Sequence, residues 1–437
     1  MAVTTYQDIY GWETGLDYGI VATGASLPTA QWVLDGTAHT GCYYGRCLLR
    51  STSGDAQQRV FSPPLKLPAN GTSSFDAVAR LWVRIPTAPD QNQTAVVNLG
   101  NGGAALPIDL TFRVNTDLTW EMANDFALPT TVTGGPALPL NTWFLLTLTL
   151  NWKRTADVSD KVVLTITANG TTLTSGILTF GNLLASQPQI DRVSIGSTIG
   201  GGGGSLTVGE AHFDDLTLQM QFDSLATTAS VTLPTADRIR LVPVTGQSAQ
   251  VNWAGSVADV QDLPVATAGP GQTSSTVAAL ATFTHSTGLA IGVGSVQVFK
   301  VYAHLKASIV GPTTQQIQLL GTDYPVSITD TYQTGANTPM AVDWAPVGFD
   351  GTTFGVINST GASLTLGAIH GEVLYGPTAS NWFGCGVDPN PPSPPVGGSG
   401  CTVTLFGGSD SAGGHGCRAA GFAGSDSGGG HGCGVTL

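Results

Sequence analysis

The sequence predicts an all-β protein with two antiparallel β-sandwich domains and a glycine-rich extended tail. Short apolar runs that alternate with polar residues, each bounded by turn residues, indicate β-strands. No segment carries a capped 3.6-residue apolar period, so few helices are expected. Charged residues make up only 10% of the 437 residues, while Gly and Pro number 58 and 25. This composition is typical of a loop-rich β protein.

The first predicted sandwich spans residues 1–230. Between two of its apolar runs lies Asn169-Gly170, the dipeptide that two-residue hairpin turns with positive φ favour. The predicted strands are rich in Val, Ile, Leu, Thr and Trp, and they are FDAVARLWVRIP (75–86), WFLLTLTLNW (143–152), KVVLTITANGTTLTSG (161–176) and QIDRVSIG (189–196).

The second predicted sandwich spans residues 237–376, after the short tether VTLPTA. The composition then changes to a Pro/Gly-rich linker over 377–400, which separates the folded body from a cysteine-containing tail at 401–437. The predicted strands of the second sandwich include VQVFKVYAHLKAS (296–308), QQIQLLG (315–321) and GTTFGVINS (351–359).

Five pieces of the first block form a recognisable series, and they are GRCLLRSTSG (45–54), FDAVARLWVRI (75–85), the strand from Trp143, the VVLTITANGTTL hairpin and EAHFDDLTL (210–218). With these pieces the block resembles the concanavalin-like jelly-roll superfamily of laminin-G type. The resemblance implies a two-sheet jelly roll that serves attachment or glycan binding.

The second block contains, in order, the pieces DRIRLVP, VNWAGS, VQVFKVYAHLKAS, YPVSITDTYQTGANTP and FGVINS. In the order and spacing of these pieces it is similar to a β-sandwich domain that recurs in structural proteins of tailed bacteriophages. This resemblance implies a virion protein that is assembled in the host cytoplasm and functions outside the cell. Its expected partners are other virion proteins, further copies of itself and a host surface glycan.

Charge and hydropathy argue against two other kinds of partner. The net charge of −13 with only 16 Lys and Arg leaves no positive footprint for nucleic acid. No apolar stretch approaches the roughly 20 residues that a membrane-spanning helix needs. The N-terminal residues also lack the basic and apolar regions of a secretory signal.

The carboxylates predict no catalytic centre and no cofactor. Jelly-roll glucanases place two Glu around an Asp within a few strand residues. Asp214 and Asp215 are adjacent on a predicted strand and should point to opposite faces. We therefore expect one to pin the closing strand and the other to be solvated, in a protein that is not an enzyme. The glutamates are too scattered for the motif and are Glu13, Glu121, Glu210 and Glu372.

Aromatic side chains could stack on sugar rings. Alternation in WFLLTLTLNW makes both faces of that strand apolar, so burial of Trp143 in the core is the simpler interpretation. The glycine run Gly200–Gly204 lacks the Lys and helix of a phosphate loop and reads as a loop tip. The available aromatics are Tyr43, Tyr44, Trp82, Trp143, Trp152 and Trp382.

Four further histidines have no Cys, His or acidic neighbour at metal-ligand spacing apart from Asp214 and Glu372. We expect them to be surface residues or satisfied core residues. They are His212, His285, His304 and His370.

The cysteines are the most regular feature of the chain. Cys42 and Cys47 bracket a turn, and either a local disulfide or two buried thiols fits. The other four, each sixteen residues from the next, are Cys385, Cys401, Cys417 and Cys433.

Two chemistries compete in this tail, beside plain disorder. His415, Cys417, His431 and Cys433 could supply a tetrahedral zinc site. A disulfide ladder explains all four tail cysteines and is favoured, because the exterior of a virion is oxidising.

These observations favour one function over two others. The leading hypothesis is a non-enzymatic structural component of a tailed-phage virion, on the tail tip, a fibre or the capsid exterior, that contributes to assembly and host attachment. The alternative is a carbohydrate-binding module for host surface glycan. A secreted glycan hydrolase is disfavoured, because both its carboxylate motif and an export signal are missing.

Overall fold

A computed structural model gives the fold, and the statements below concern only the residues it describes. These are residues 4–13, 20–23, 31–34, 38–41, 43–49, 58–61, 74–100, 109–124, 130–154, 160–180, 192–196, 209–223, 238–261, 271–288, 295–336, 340–344, 346–376, 416–420 and 432–436.

The chain divides into two compact units, Met1–Pro377 and Thr378–Leu437. Nearly all regular structure in both units is β, which confirms the predicted all-β class. The strands of the first sandwich are β1 (Thr4–Tyr10), β2 (Ile20–Thr23), β3 (Gln31–Leu34), β4 (Tyr43–Leu49), β5 (Gln58–Phe61), β6 (Ser74–Thr87), β7 (Thr94–Gly100), β8 (Asp109–Val114), β9 (Trp120–Asn124), β10 (Thr130–Gly135), β11 (Phe144–Arg154), β12 (Asp160–Ala168), β13 (Thr171–Thr174), β14 (Leu178–Phe180), β15 (Arg192–Gly196) and β16 (Gly209–Asp223).

These strands form two antiparallel sheets that face each other across one core. Sheet A has the order β13-β12-β11-β6-β16-β4-β3, with β1 paired to β16 and β14 to β12. Sheet B has the order β10-β9-β8-β7-β15-β5-β2. The inward residues of β6 show the predicted period of two, since Ala77, Ala79, Leu81, Val83 and Ile85 are all fully buried.

The predicted hairpin is present between β12 and β13. Asn169 and Gly170 have φ values of 48° and 78°, the left-handed conformations that a two-residue hairpin turn requires. Glycine has no Cβ to clash there, and Asn is among the few other residues that tolerate this region.

The second sandwich has the same construction. Sheet C has the order β17-β27-β21-β24, with β19 and β25 at its sides, and sheet D has the order β18-β20-β26-β22-β23. Its strands are β17 (Arg238–Val242), β18 (Val244–Val251), β19 (Gln272–Ser274), β20 (Ala279–His285), β21 (Ser295–Ala307), β22 (Thr313–Leu319), β23 (Thr322–Ile328), β24 (Gln333–Ala336), β25 (Met340–Trp344), β26 (Thr353–Asn358) and β27 (Leu364–Gly376).

Helix is confined to two short segments in the described ranges. A 3-10 turn covers Val257–Val260, and the α-helix α1 covers Pro346–Asp350. Neither of these two segments is long and apolar enough to cross a membrane.

The tail contributes two strands to the second compact unit. These are β28 (Gly416–Ala420) and β29 (Gly432–Thr436), which pair in parallel.

The two sandwiches meet at a buried junction between β1 and sheet C. Its apolar part consists of Ile9, Ile239, Val298 and Leu374, each at most 1% exposed. Residues from three strands of sheet C thus cover one residue of β1.

Charged groups complete the junction. The Lys300 ammonium donates to Asp8 Oδ1 at 2.7 Å and lies 3.9 Å from the ring centre of Tyr10. The Glu372 carboxylate accepts hydrogen bonds from the Gly11 amide at 3.1 Å and the Tyr302 hydroxyl at 2.9 Å. Burial raises the pKa of Glu372, although these donors oppose the shift. Lys300 and Asp8 form a buried ion pair. Removal of either residue should destabilise the fold strongly, because the other charge is then buried without its partner.

Replacement of Lys300 by Met tests this junction. Loss of the ammonium leaves the Asp8 carboxylate buried without its cation, which should lower the free energy of unfolding by about 3–5 kcal/mol. Lys306→Met is the matched control on the same strand, because Lys306 is only half-buried, 4.6 Å from the Tyr332 ring centre. Its effect should stay within about 1 kcal/mol. Urea unfolding measures both changes, and equal midpoints for the two variants would contradict the assignment.

Candidate functional site

Four neighbouring strands place a row of polar and aromatic residues on the outer face of sheet A, away from the core. Arg46 of β4 lies opposite His212 of β16, and His212 lies opposite Arg84 of β6. Trp143 directly precedes β11 and follows Arg84 in the same row. We call these four residues the His212 row.

Hydrogen bonds hold both nitrogens of His212. Arg84 donates to Nδ1 from Nε at 3.2 Å and from Nη2 at 2.7 Å. Because guanidinium nitrogens only donate, Nδ1 is the acceptor, and Nε2 carries the proton that contacts Glu210 Oε1. Arg46 clamps the same carboxylate, with Nε 2.8 Å from Oε1 and Nη2 2.9 Å from Oε2. The imidazole is therefore fixed in one tautomer.

The pKa shifts agree with a neutral imidazole beside an ionised carboxylate. Burial lowers the pKa of His212, and the nearby charge of Arg84 lowers it further against the opposing effect of Glu210. Burial raises the pKa of Glu210, but the hydrogen bonds from His212 and Arg46 outweigh it and leave the pKa below its ordinary value. Among the contacts of the described residues, two guanidinium groups and one carboxylate surround His212.

Aromatic rings line the row. Tyr44 stacks on His212 with ring centres 4.5 Å apart and 28° between planes. The guanidinium carbon of Arg84 lies 5.1 Å from the Trp143 ring centre and 5.4 Å from that of Tyr44. Cation–π contacts of this kind are strongest where water is excluded, as around the 8%-exposed Arg84.

A second ring pair borders the row. His39 stacks on Trp82, with centres 3.8 Å apart and planes at 16°, and meets the edge of Trp143 at 6.1 Å. Trp82 and Trp143 are both half-buried, so each keeps part of its ring in contact with solvent.

A β-bulge in β16 holds His39 in this position. The pairing with β6 shifts between Asp214 and Thr217, and Asp215 has a φ of 52°. Asp214 Oδ2 accepts from the His39 amide at 2.9 Å, and Asp215 Oδ2 lies 2.7 Å from His39 Nδ1. The bulge breaks the alternation of the strand, and both carboxylates are at most 2% exposed. The prediction that one of them would be solvated is therefore wrong.

The structure places the other predicted residues as follows. Trp152 lies in the core, whereas Trp143 does not, because the inward register of β11 begins at Phe144. Cys47 is buried, with its thiol 3.9 Å from the Ile195 carbonyl oxygen, and the expected alternatives for Cys42 and Cys47 stay predictions. The residues outside the described ranges are Cys42, Gly200–Gly204, Trp382, Cys385, Cys401, His415 and His431, and the side chains of Tyr43, Cys417 and Cys433 are not described either.

The remaining histidines are packed in the second sandwich. His285 stacks on Phe354 at 5.2 Å, and burial lowers its pKa to about 4. His304 stacks on Tyr332 at 4.9 Å, and His370 is 1% exposed. Within the described part of the chain, no three His, Cys, Asp or Glu side chains are grouped as metal ligands.

Sequence reasoning missed the central pair of the site. Glu210 and His212 occupy positions i and i+2 of a strand, which places them on one face. That spacing is visible in GEAHFDD, but a motif of two Glu around an Asp does not include a Glu–His pair. Arg46 and Arg84 carried no local signal, because only the strand register brings them beside His212.

No protein-family model and no curated protein sequence matches the chain. Several solved structures have a similar fold over part of it. Alginate lyase Aly36B in complex with alginate tetrasaccharide is 13% identical, over 40% of this chain and 82% of that one, with a TM-score of 0.28. An alginate lyase from Aplysia kurodai is 11% identical over 49% and 89%, with a TM-score of 0.31. Arcelin-5, a lectin-like defence protein from Phaseolus vulgaris, is 10% identical over 51% and 99%, with a TM-score of 0.30.

These matches contradict the prediction that the chain is not an enzyme, because the alginate lyases among them are enzymes. The resemblance of the second sandwich to phage structural proteins stays a prediction.

The buried carboxylate of Asp214 predicts a pH effect on stability. Burial, and then the charges of Asp215 and Glu13, raise its pKa well above the ordinary 3.8. The folded protein thus binds this proton more tightly than the unfolded chain does. Asp214 therefore stabilises the fold below about pH 3.8, and the stabilisation is lost as the pH rises through the folded pKa. The free energy of unfolding of the unmodified chain, relative to Asp214→Asn, should fall as the pH rises above that value.

Asp117→Asn is the control with the opposite sign. Hydrogen bonds from Thr119 lower the pKa of this exposed carboxylate, so its contribution is present above pH 3.8 and is lost as the pH falls. Urea titrations at a series of pH values measure both differences. The same pH dependence for both variants would contradict the assignment.

Proposed function

We propose that the outer face of sheet A binds an acidic polysaccharide. The observation that carries this proposal is the His212 row, where Arg46 and Arg84 lie on either side of His212 and the Arg46 side chain is 36% exposed. Two guanidinium groups in one row, on a protein of net charge −13, favour an anionic ligand group. Guanidinium binds carboxylate and sulfate through paired hydrogen bonds, which gives both affinity and orientation.

The rings beside the row suit sugar more than a simple anion. Trp82 and Trp143 keep part of their surface in solvent, where the apolar C–H face of a pyranose can pack. Arg46 has 36% of its side chain exposed, while Arg84 and His212 form a buried floor. Sites for small ligands commonly combine apolar rings with a few fixed polar groups in this way.

The neighbouring strands extend this surface with hydroxyl groups. Six of the outward residues of β11, β12 and β13 are threonines, which form two cross-strand rows, and the Thr167 and Thr172 hydroxyls are 2.9 Å apart. Strands lie about 4.8 Å apart, so three strands add about 10 Å of uncharged, hydroxyl-bearing surface. This length favours a chain of several sugars, such as a host surface glycan. The threonines are Thr147, Thr149, Thr165, Thr167, Thr172 and Thr174.

Arg46→Gln tests the proposal, because its guanidinium is the accessible charge of the row. Loss of one charge-assisted hydrogen bond, worth about 1.5–3 kcal/mol, should raise the Kd for an acidic oligosaccharide by about ten- to hundredfold. Calorimetric titration with uronate oligosaccharides measures this change. Arg113→Gln is the matched control, since Arg113 pairs with Glu121 at 3.6 Å on sheet B. The same Kd for both variants, or equal binding of an uncharged oligosaccharide, would contradict the proposal.

A second candidate function concerns assembly. We propose that the chain is a subunit of a tailed-phage virion, which would bring a glycan-binding face to the host surface. The resemblance of residues 237–376 to phage structural proteins supports this setting. One end of the second sandwich supports it too, because apolar residues are exposed there. They are Val251 (51% exposed), Val277 (60%), Ile309 (50%) and Val310 (85%).

These four residues share one end of the sandwich. Ile309 and Val310 lie between β21 and β22, and the adjacent Ser308 amide donates to the Ser363 carbonyl at 2.8 Å. The loops SIVGP (308–312) and STGAS (359–363) carry no charge. An uncharged end can contact the same end of a second copy without like-charge repulsion, as a two-fold interface requires. We therefore assign this surface to a neighbouring copy of the chain.

Val310→Asp tests the assembly surface. A carboxylate at this position would meet its counterpart across a two-fold contact, so the variant should be monomeric at concentrations where the unmodified chain is oligomeric. Light scattering across a concentration series measures the mass. Leu140→Asp, at a residue that is 51% exposed in the first sandwich, should leave the mass unchanged. A monomeric unmodified chain, or equal dissociation by both variants, would contradict the assignment.

A further inference from the structure

The two tail strands pair in a register that coincides with the sequence repeat. β28 and β29 are parallel, with Gly416 opposite Gly432 and Cys417 opposite Cys433. Each paired position is sixteen residues from its partner. The repeats FGGSDSAGGHGC and FAGSDSGGGHGC are offset by the same sixteen residues. The fold therefore places equivalent positions of two successive repeats beside each other.

The connection between the two strands has the length that parallel pairing needs. Two adjacent parallel strands cannot be joined by a tight hairpin and need a connection of about a dozen residues. The segment between β28 and β29 covers residues 421–431, which is about that length. A fixed sequence period combined with parallel in-register strands is the arrangement in which equivalent positions of successive repeats become neighbours.

The register gives the two cysteines the backbone spacing of a disulfide. Paired positions of adjacent strands share one face of the sheet and lie about 4.8 Å apart. Disulfides join residues whose Cα atoms are about 4.4–6.8 Å apart. Equal sixteen-residue spacing alone left open which cysteines would meet, and the parallel pairing selects Cys417 and Cys433.

We propose that a disulfide between Cys417 and Cys433 joins the two paired strands of this tail, β28 and β29. It forms by exchange with a small-molecule disulfide. The thiolate of one cysteine attacks that disulfide and releases one small thiol, which leaves a mixed disulfide on the protein. The second cysteine thiolate then attacks the protein sulfur and releases the second small thiol. Two protein thiols are oxidised, and one small disulfide is reduced to two thiols.

The disulfide would stabilise a tail that has few apolar side chains to bury. The repeats are rich in Gly and Ser and offer few apolar side chains for a core. A cross-link that closes a loop of about fifteen residues should favour the paired form by roughly a hundredfold in the chain-entropy model. Covalent stapling can therefore replace hydrophobic burial there.

Peptide mapping of the full chain tests the proposal. The protein is equilibrated with oxidised glutathione, its free thiols are alkylated, and it is cleaved before aspartate. Cleavage before Asp388, Asp410 and Asp426 places each of the four tail cysteines on a different peptide. Peptides 410–425 and 426–437 should appear joined in the monomer band and should separate on reduction.

Two variants distinguish the proposed disulfide from other cysteine pairings. Cys401→Ser should leave the joined peptides intact, and Cys433→Ser should leave Cys417 open to alkylation. Free Cys417 and Cys433, with or without stoichiometric zinc, would overturn the proposal. So would a bridge from either residue to Cys385 or Cys401. Joined peptides found only in a cross-linked dimer would overturn the assignment of the bridge to one chain.

Discussion

The bulge of β16 at Asp214 and Asp215 is the constraint on which the rest of the larger compact unit depends. Asp215 Oδ1 accepts hydrogen bonds from the Thr40 hydroxyl at 2.7 Å and from the Ile239 amide at 2.6 Å. Thr40 lies beside the candidate site, and Ile239 lies in the first strand of the second sandwich. One buried carboxylate thus holds both a wall of the site and the start of the next sandwich. Its burial is tolerable because each oxygen has a donor.

This shared anchor links the site to the junction of the sandwiches. Asp214 fixes the backbone of the segment that carries His39, and His39 covers Trp82. On the other side of the anchor, Ile239 packs with Ile9 in the apolar part of the junction. A substitution that disturbs the bulge should therefore loosen both the outer face of sheet A and the contact between the sandwiches. We expect a ligand face held in this way to be largely pre-formed, which lowers the ordering cost of binding.

The strands and the hairpin were predictable from the sequence, whereas the site was not. A period of two identifies β6 and β11, and Asn169-Gly170 identifies the turn, because both signals are local. The bulge has no such signal, and it invalidates the alternation rule at Asp214 and Asp215. Contacts such as that of Gly11 with Glu372 join residues about 360 positions apart, where local patterns carry no information. In the tail, the sixteen-residue spacing of the cysteines is visible in the sequence, but the parallel register of β28 and β29 is not.

We propose that Arg46 and Arg84 on the outer face of sheet A receive the anionic group of a polysaccharide. An experimental structure of the chain in complex with an acidic tetrasaccharide tests this most directly. We expect a sugar carboxylate within hydrogen-bond distance of Arg46 or Arg84, with a pyranose ring against Trp143 or Trp82. Occupancy of sheet B instead, or a carboxylate that contacts neither arginine, would contradict it.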